Sequence, residues 1–412
     1  MLWLLISALI TLGLPVASAR DVGMSAERLA AIDRVVMRGV ARRGFPGAAV
    51  VVGRYGHVVV SRGYGTLDWS DDSRCVDADE SVYDLASLTK VVATTSAIMI
   101  LVDRHQLSLD DRVVKYLPAF AKSGGIKATV TIRHLLTHRS GLPSGRDLWR
   151  AGRTAADARR MVLATSLQRE PGGNEIYSDL GADVLAMVAE RVTGEPMDVF
   201  LQRELFGKLG MKSTGFRPVH NNRVAAERIA PTEGRARGTV HDGNALALGG
   251  VAGHAGLFSS ASDLAVFAQM MLGGGEYNGV RIVSEPTVSL FIRRTAGWRA
   301  LGWETCYGGG SCGQFMSERG YGHTGFTGTS MWIDPDRQSF TILLTNWVRP
   351  RPEGRTPDYL TLNDVRADVA DIAALSVIDD SLGMKLMPST MRADRATSWE
   401  NAGERLLNRC AR

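Results

Sequence analysis

The chain has 412 residues, 45% of them hydrophobic and 22% charged, the proportions of a soluble globular protein with ample material for a buried core. Its 48 Lys and Arg stand against 43 Asp and Glu, and only seven of the basic residues are Lys. They are scattered, with no basic run interleaved with aromatics, so nucleic acid is not an expected partner.

Residues Leu2 to Leu14 form an uncharged apolar run, and Ala17-Ser18-Ala19 follows it as an A-x-A cleavage signal. The run is too short to span a bilayer, which argues for a removed signal peptide over residues 1–19 and no stable membrane anchor. It departs from the usual pattern in having no Lys or Arg before it. The expected location is periplasmic or secreted. Four cysteines suit that oxidising compartment. Cys306 and Cys312 flank a Gly-rich loop and could close a short disulfide, while Cys75 and Cys410 lie far apart; three connectivities remain open.

After Ser25, a good N-cap, Leu29, Ile32, Val35, Val36 and Val40 recur at helical spacing. Ala48 to Val52 and His57 to Val60 read as two strands of a hairpin turning at Arg54-Tyr55-Gly56. From Ser87 to about His105 the pattern is helical and apolar nearly all round, as in a buried helix. Residues 106–285 read mainly as helices and loops, with clear helices at Leu180 to Val192, ended by Gly194, and at Ala261 to Leu272. Strands return at Ser330 to Ile333 and Ser339 to Leu344, and a last helix runs from Leu362 to Leu375. The expected fold is α+β. Residues 20–105 and 286–375 build an antiparallel sheet flanked by helices, 106–285 form an inserted mainly helical region, and 376–412 are a C-terminal tail. Ser87 would sit in the cleft where the two regions meet.

Three short motifs carry chemistry. In Ser87-Leu88-Thr89-Lys90, positions i and i+3 share a helix face, so the ammonium can reach the hydroxyl. A serine is a poor nucleophile until a neighbour takes its proton, and a lysine can do so once burial or a second cation lowers its pKa. The apolar run Val91 to Leu101 suits that burial. In Tyr177-Ser178-Asp179, at the mouth of the Leu180 helix, a phenol near the ammonium can relay a proton. In His323-Thr324-Gly325, placed just before a strand, the Gly allows close approach of a substrate backbone, and the next N–H, on Phe326, could complete an oxyanion hole with that of Ser87.

In this order the three motifs resemble those of the serine β-lactamase and penicillin-binding-protein superfamily, nearest its class C β-lactamase branch with its DD-peptidases and esterases. Val130 to Pro143 and Gly249 to Ser259 also look like that family, and the resemblance spans about residues 25 to 375. It implies an acyl-enzyme on Ser87, general-base and general-acid work shared by Lys90 and Tyr177, and a substrate-binding set of Asp179, His323, Thr324, Gly325 and Phe326. No cofactor or metal is implied. The implied substrate is a small peptide or ester, with the peptidoglycan stem peptide leading. Two departures stand out: Asp179 replaces the usual Asn, and His323 the usual Lys of β-lactamases. Both argue against an efficient β-lactamase, leaving a D-alanyl-D-alanine carboxypeptidase-like enzyme or an esterase. A non-catalytic peptidoglycan- or β-lactam-binding module and a class C-type β-lactamase are the alternatives.

Plainer readings compete at several positions. Ser87 or Asp179 alone could be an N-cap, and Tyr177 a structural phenol. His134 and His138 share a helical face at i, i+4, but no Glu follows His134 to make a zinc hydrolase motif. His241, Asp242 and His254 could line the cleft or simply shape turns. Gly308, Gly310 and Gly313 match a dinucleotide fingerprint without the strand and helix that would give it meaning.

Overall fold

The computed structural model describes residues 13–122, 124–151, 154–295, 297–306, 309–351, 359–379 and Cys410. Most of the Leu2 to Leu14 run and of the 376–412 tail therefore lies outside the described residues. Eleven strands are present among those described: β1 (Gly47–Arg54), β2 (His57–Gly65), β3 (Val82–Asp84), β4 (Gly215–Phe216), β5 (Leu257–Ser260), β6 (Glu276–Tyr277), β7 (Val280–Arg281), β8 (Glu304–Thr305), β9 (Tyr321–Thr324), β10 (Ser330–Asp334) and β11 (Ser339–Thr345). Six form one sheet in the order β2-β1-β11-β10-β9-β8, with every neighbouring pair antiparallel. The fold is α+β, as the hydrophobic pattern implies.

Period-two alternation explains how this sheet holds two cores. Ala48, Val50 and Val52 of β1 and Leu343 of β11 point to one side. There they meet Val35, Val36 and Val40 of the helix Ala31–Ala41, and Val365, Val369 and Ile372 of the helix Tyr359–Ser376. Ala49, Val51, Ile342 and Leu344 point the other way, into the larger core shared with Leu264 and Phe267 of the helix Ala261–Leu272. A strand buried on both faces must be apolar at consecutive positions, which is why Ala48 to Val52 lacks polar alternation. The β1–β2 turn places Tyr55 and Gly56 at φ 50° and 78°, the left-handed pair that a two-residue hairpin requires.

Some expectations change in detail. The first helix divides at Ala30 into Ala26–Leu29 and Ala31–Ala41. The middle of the chain contributes β4 and β5, which join β3 in a small second sheet, and the β6–β7 hairpin. These strands are two to four residues long, too short to leave a periodic signature. His323 and Thr324 precede β10 as expected, and they themselves end a further short strand, β9. The A-x-A stretch borders β2, where Val58 N–H donates to Pro15 C=O (2.8 Å) and Ala17 N–H to Val58 C=O (3.0 Å).

Cys75 pairs with Cys410 and Cys306 with Cys312, giving one of the three connectivities left open by the sequence. The loops they close differ greatly, with sequence separations of 335 and 6. Restriction of the unfolded chain grows with loop length. Replacing Cys75 and Cys410 together by Ser is therefore expected to cost about 2–4 kcal/mol in chemical denaturation. The Cys306/Cys312 double replacement should cost less, and non-reducing peptide mapping should recover both pairs.

Candidate active site

Ser87 follows a tight turn that connects β3 to the buried helix. Ala86 sits at φ 46°, a strained conformation for a residue with a side chain. Asp84 holds that turn together. Its Oδ1 accepts from Ala86 N–H (2.9 Å), its Oδ2 from His241 N–H (2.6 Å), and its backbone C=O from the Thr327 hydroxyl (2.6 Å). Burial pushes the Asp84 carboxyl upward from its ordinary value. Asp84 thus links, through its carboxylate and its backbone carbonyl, the Ser87 turn, the His241 loop and the loop after β9.

Beyond Ser87 the helix opens into a widened turn over Lys90–Thr95 before regular α-helix resumes at Ser96. Such widened turns recur at functional sites. Here one lies next to the chain of the middle region, where the Thr94 hydroxyl donates to Gly253 C=O at 2.6 Å. Lys90 is 3% exposed. Its Nζ donates to Ser87 Oγ at 2.8 Å, lies 2.7 Å from Asp179 Oδ1 and 3.4 Å from His254 C=O, and sits 4.8 Å from the centre of the Tyr177 ring. Burial works to lower the Lys90 pKa, but Tyr177 and the Asp179 carboxylate outweigh it and hold the ammonium above its ordinary range. Burial opposes ionisation of Asp179 too, and the facing Lys90 prevails, holding the carboxyl low.

The competing N-cap reading of Asp179 is resolved by its neighbour. Ser178 caps the helix Asp179–Thr193, its Oγ accepting from Gly181 N–H (3.1 Å) and donating to Pro143 C=O (2.6 Å). That cap frees the Asp179 carboxylate to face Lys90.

Tyr177 is held on several sides. The His138 ring lies 4.6 Å from its centroid, His323 at 6.0 Å, and the Arg299 guanidinium at 5.4 Å. The two flanking cations, Lys90 and Arg299, favour the electron-rich ring. His138 is buried with φ 54°, and its Nδ1 accepts from Ser178 N–H at 3.0 Å. Burial, with Arg299 nearby, takes its pKa well below the ordinary histidine value, consistent with an accepting nitrogen. Arg299 in turn bonds Glu175 (2.9 Å) and Glu304 (3.0 Å). His134 has a different task, with its Nδ1 closing a capping box by accepting from Thr131 N–H (3.3 Å).

His323 is 1% exposed and packs behind Tyr177. Its Nδ1 meets Thr324 C=O at 2.7 Å, and Glu304 Oε1 is 3.9 Å from Nε2. Burial pushes it down to about 4, so it is uncharged at neutral pH. Gly325 has no room for a Cβ, which would strike Thr329 Oγ1 and the Leu85 C=O. Its smallness lets the loop after β9 lie against the Ser87 turn. Neither Ser87 N–H nor Phe326 N–H donates to a protein group among the described residues. The Phe326 ring is 54% exposed, stacks on His241 at 5.5 Å and meets Trp347 edge-on at 5.7 Å.

A family model described as beta-lactamase matches residues 32–365. The chain belongs to the beta-lactamase family. It is a serine hydrolase of that family. Among curated relatives, the "N-acetylmuramyl-L-alanine amidase" of Bacillus subtilis strain 168 is 32% identical over 371 residues, covering 80% of this chain and 83% of its own. The "Putative D-alanyl-D-alanine carboxypeptidase" of Escherichia coli strain K12 is 32% identical over 373 residues, covering 80% and 85%. Solved structures share the fold. A penicillin-binding protein homologue from Caulobacter crescentus has a TM-score of 0.67 at 19% identity, over 85% of this chain and 99% of its own. The hydrolase EstCE1, described with promiscuous acyltransferase activity, has 0.65 at 22% identity, over 84% and 99%.

Sequence reasoning did not single out Asp84, Asp183, Glu304 or Arg299, none of which lies in a recognisable motif. His138, a metal-ligand candidate by spacing alone, packs on the Tyr177 ring, and His254, a candidate for lining the cleft or shaping a turn, meets Lys90 through its carbonyl. The Lys90–Asp179 contact has a measurable consequence. The Asp179 charge favours the protonated amine, so removing it eases deprotonation of Lys90. Asp179→Asn should shift the ascending limb of the kcat/KM pH profile to lower pH by about one unit. A limb that stays put or moves upward would show that Asp179 does not control this amine.

Proposed function

We propose that Ser87 is the nucleophile of an acyl-enzyme hydrolase working outside the cytoplasm on short peptides ending in D-alanyl-D-alanine, with simple esters as a second substrate class. The observation that carries the proposal is the 2.8 Å contact between Lys90 Nζ and Ser87 Oγ at a buried site. The apolar N-terminal run and the two disulfides support an exported protein. The name of the Escherichia coli relative, a putative D-alanyl-D-alanine carboxypeptidase, supports the substrate class, and that of the Bacillus subtilis relative, an N-acetylmuramyl-L-alanine amidase, supports cleavage of an amide. EstCE1 keeps the ester class in view.

In this reading Lys90, as the free amine, takes the proton of Ser87 Oγ as the oxygen bonds to the substrate carbonyl carbon. The resulting oxyanion is received by the N–H groups of Ser87 and Phe326. Tyr177 passes the proton to the departing amine or alcohol as its bond to carbon breaks, leaving the acyl group on Ser87. Water then repeats the sequence with Lys90 and Tyr177 as proton carriers, which releases the acid and restores Ser87. Asp179, Thr324 and Gly325 border the substrate, and His323 supports Tyr177 from behind. Because His323 is neutral, that strand offers no cation to a substrate carboxylate, an anchor that lactams and D-alanyl-D-alanine peptides would both use and simple esters do not need.

A turnover panel of a D-Ala-D-Ala peptide, a chromogenic lactam and a short-chain ester tests the assignment. Peptide and ester should turn over well ahead of the lactam, and Ser87→Ala should lose about a thousandfold or more. Mass spectrometry after penicillin or an activated ester should place the adduct on Ser87. Undiminished turnover in Ser87→Ala would overturn the nucleophile, and acylation with no turnover would favour a binding module.

A further inference from the structure

Behind the Lys90–Asp179 pair lies a second charged cluster that the proposed chemistry does not use. His254 is 2% exposed, and each of its ring nitrogens meets a carboxylate oxygen: Nδ1 with Asp183 Oδ1 at 2.7 Å and Nε2 with Asp242 Oδ1 at 3.1 Å. An ionised carboxylate can only accept, so both nitrogens must donate, and only the imidazolium carries two N–H groups. A neutral ring would aim a lone pair at an anion inside the protein. The facing carboxylates also hold His254 well above its ordinary pKa against the opposing effect of burial.

This cation has a rigid seat. Asp183 belongs to the helix Asp179–Thr193, four residues beyond Asp179, and its Oδ1 also accepts from Gly253 N–H at 2.9 Å. Asp242 caps the helix Gly243–Ala247 through Ala245 N–H at 2.8 Å. From the third side the Thr94 hydroxyl holds Gly253 C=O, and the His254 C=O reaches Lys90 Nζ. The charged groups facing His254 from these elements are Asp183, Asp242 and Asp179, with Lys90 beyond.

Resting on the reading of Lys90 as the base, we propose that His254 is a positioning residue that sets the basicity of Lys90. Its clasped ring fixes the backbone carbonyl that receives the amine, and its positive charge offsets the field of Asp179. Asp179 thereby orients Lys90 while raising its basicity less than it would unopposed. The His254 ring touches no reacting atom, and its backbone carbonyl meets only the amine.

The pH profile of kcat/KM separates this role from a merely structural one. His254→Gln removes the cation and should move the ascending limb upward by about one unit, opposite to Asp179→Asn, with about tenfold loss at neutral pH that is regained in alkali. Asp242→Asn keeps one carboxylate and should leave the limb nearer that of the unaltered enzyme. If His254→Gln lowers activity equally at every pH, the tuning role is wrong. A second measurement needs no variant. With ¹⁵N-labelled histidine, one of the eight rings should still bear protons on both nitrogens at pH 8. A spectrum of neutral rings alone would overturn the proposal. Ser87→Ala serves as the separate control, since survival of its activity would refute the base assignment whatever His254 does.

Discussion

Lys90 carries an ammonium into a buried place that little water reaches, and the surrounding structure is arranged around that cost. A buried cation without partners would be expelled or neutralised. Lys90 instead has the Ser87 hydroxyl, the Asp179 carboxylate, the His254 carbonyl and the Tyr177 ring around it. These partners come from three separate stretches of chain, around Ser87, Tyr177 to Asp179 and His254, so the site exists only when the sheet region and the middle region are both docked. The same requirement explains the widened helical turn after Lys90, which sits against Gly253 and its neighbours.

Each partner is itself held by something else. Ser178 takes the capping duty that would otherwise fall to Asp179. Asp84 ties the Ser87 turn to the loops bearing His241 and Thr327. His138, His323 and Arg299 enclose Tyr177, with Arg299 bridged to Glu175 and Glu304. Catalytic groups can be preorganised only if their supports are as fixed as they are. In this molecule the supports are buried ion pairs and hydrogen bonds, which are costly to leave half made.

Membership of the beta-lactamase family gives the reaction class, and the local departures give this site its character. An Asp at position 179 adds a charge where a lone amide would only donate and accept, and a neutral His at 323 withdraws one. The positive balance is carried instead by Arg299 and, in the proposal made above, by His254, both of them buried. Charge at this site is therefore a property of the whole cluster rather than of a three-residue motif.

Features that depend on neighbouring positions were legible in the amino-acid sequence. The i, i+3 spacing of Ser87 and Lys90, the two-sided apolar run of β1, the hairpin at Tyr55-Gly56 and the helix Ala261–Leu272 all follow from local periodicity and turn chemistry. The short strands β4, β5 and β8 were not, because two to four residues carry no period. Nor could sequence choose among three cysteine pairings, or decide whether Ser178 or Asp179 caps its helix. Least legible were the relations between distant residues: His138 with Tyr177, Arg299 with Glu304, His254 with Asp183 and Asp242. Sequence by itself determined which residues could do chemistry and which elements would bear them. Only the tertiary structure decided their electrostatics, because the field at Lys90 is a sum over charges that meet in space and not along the chain.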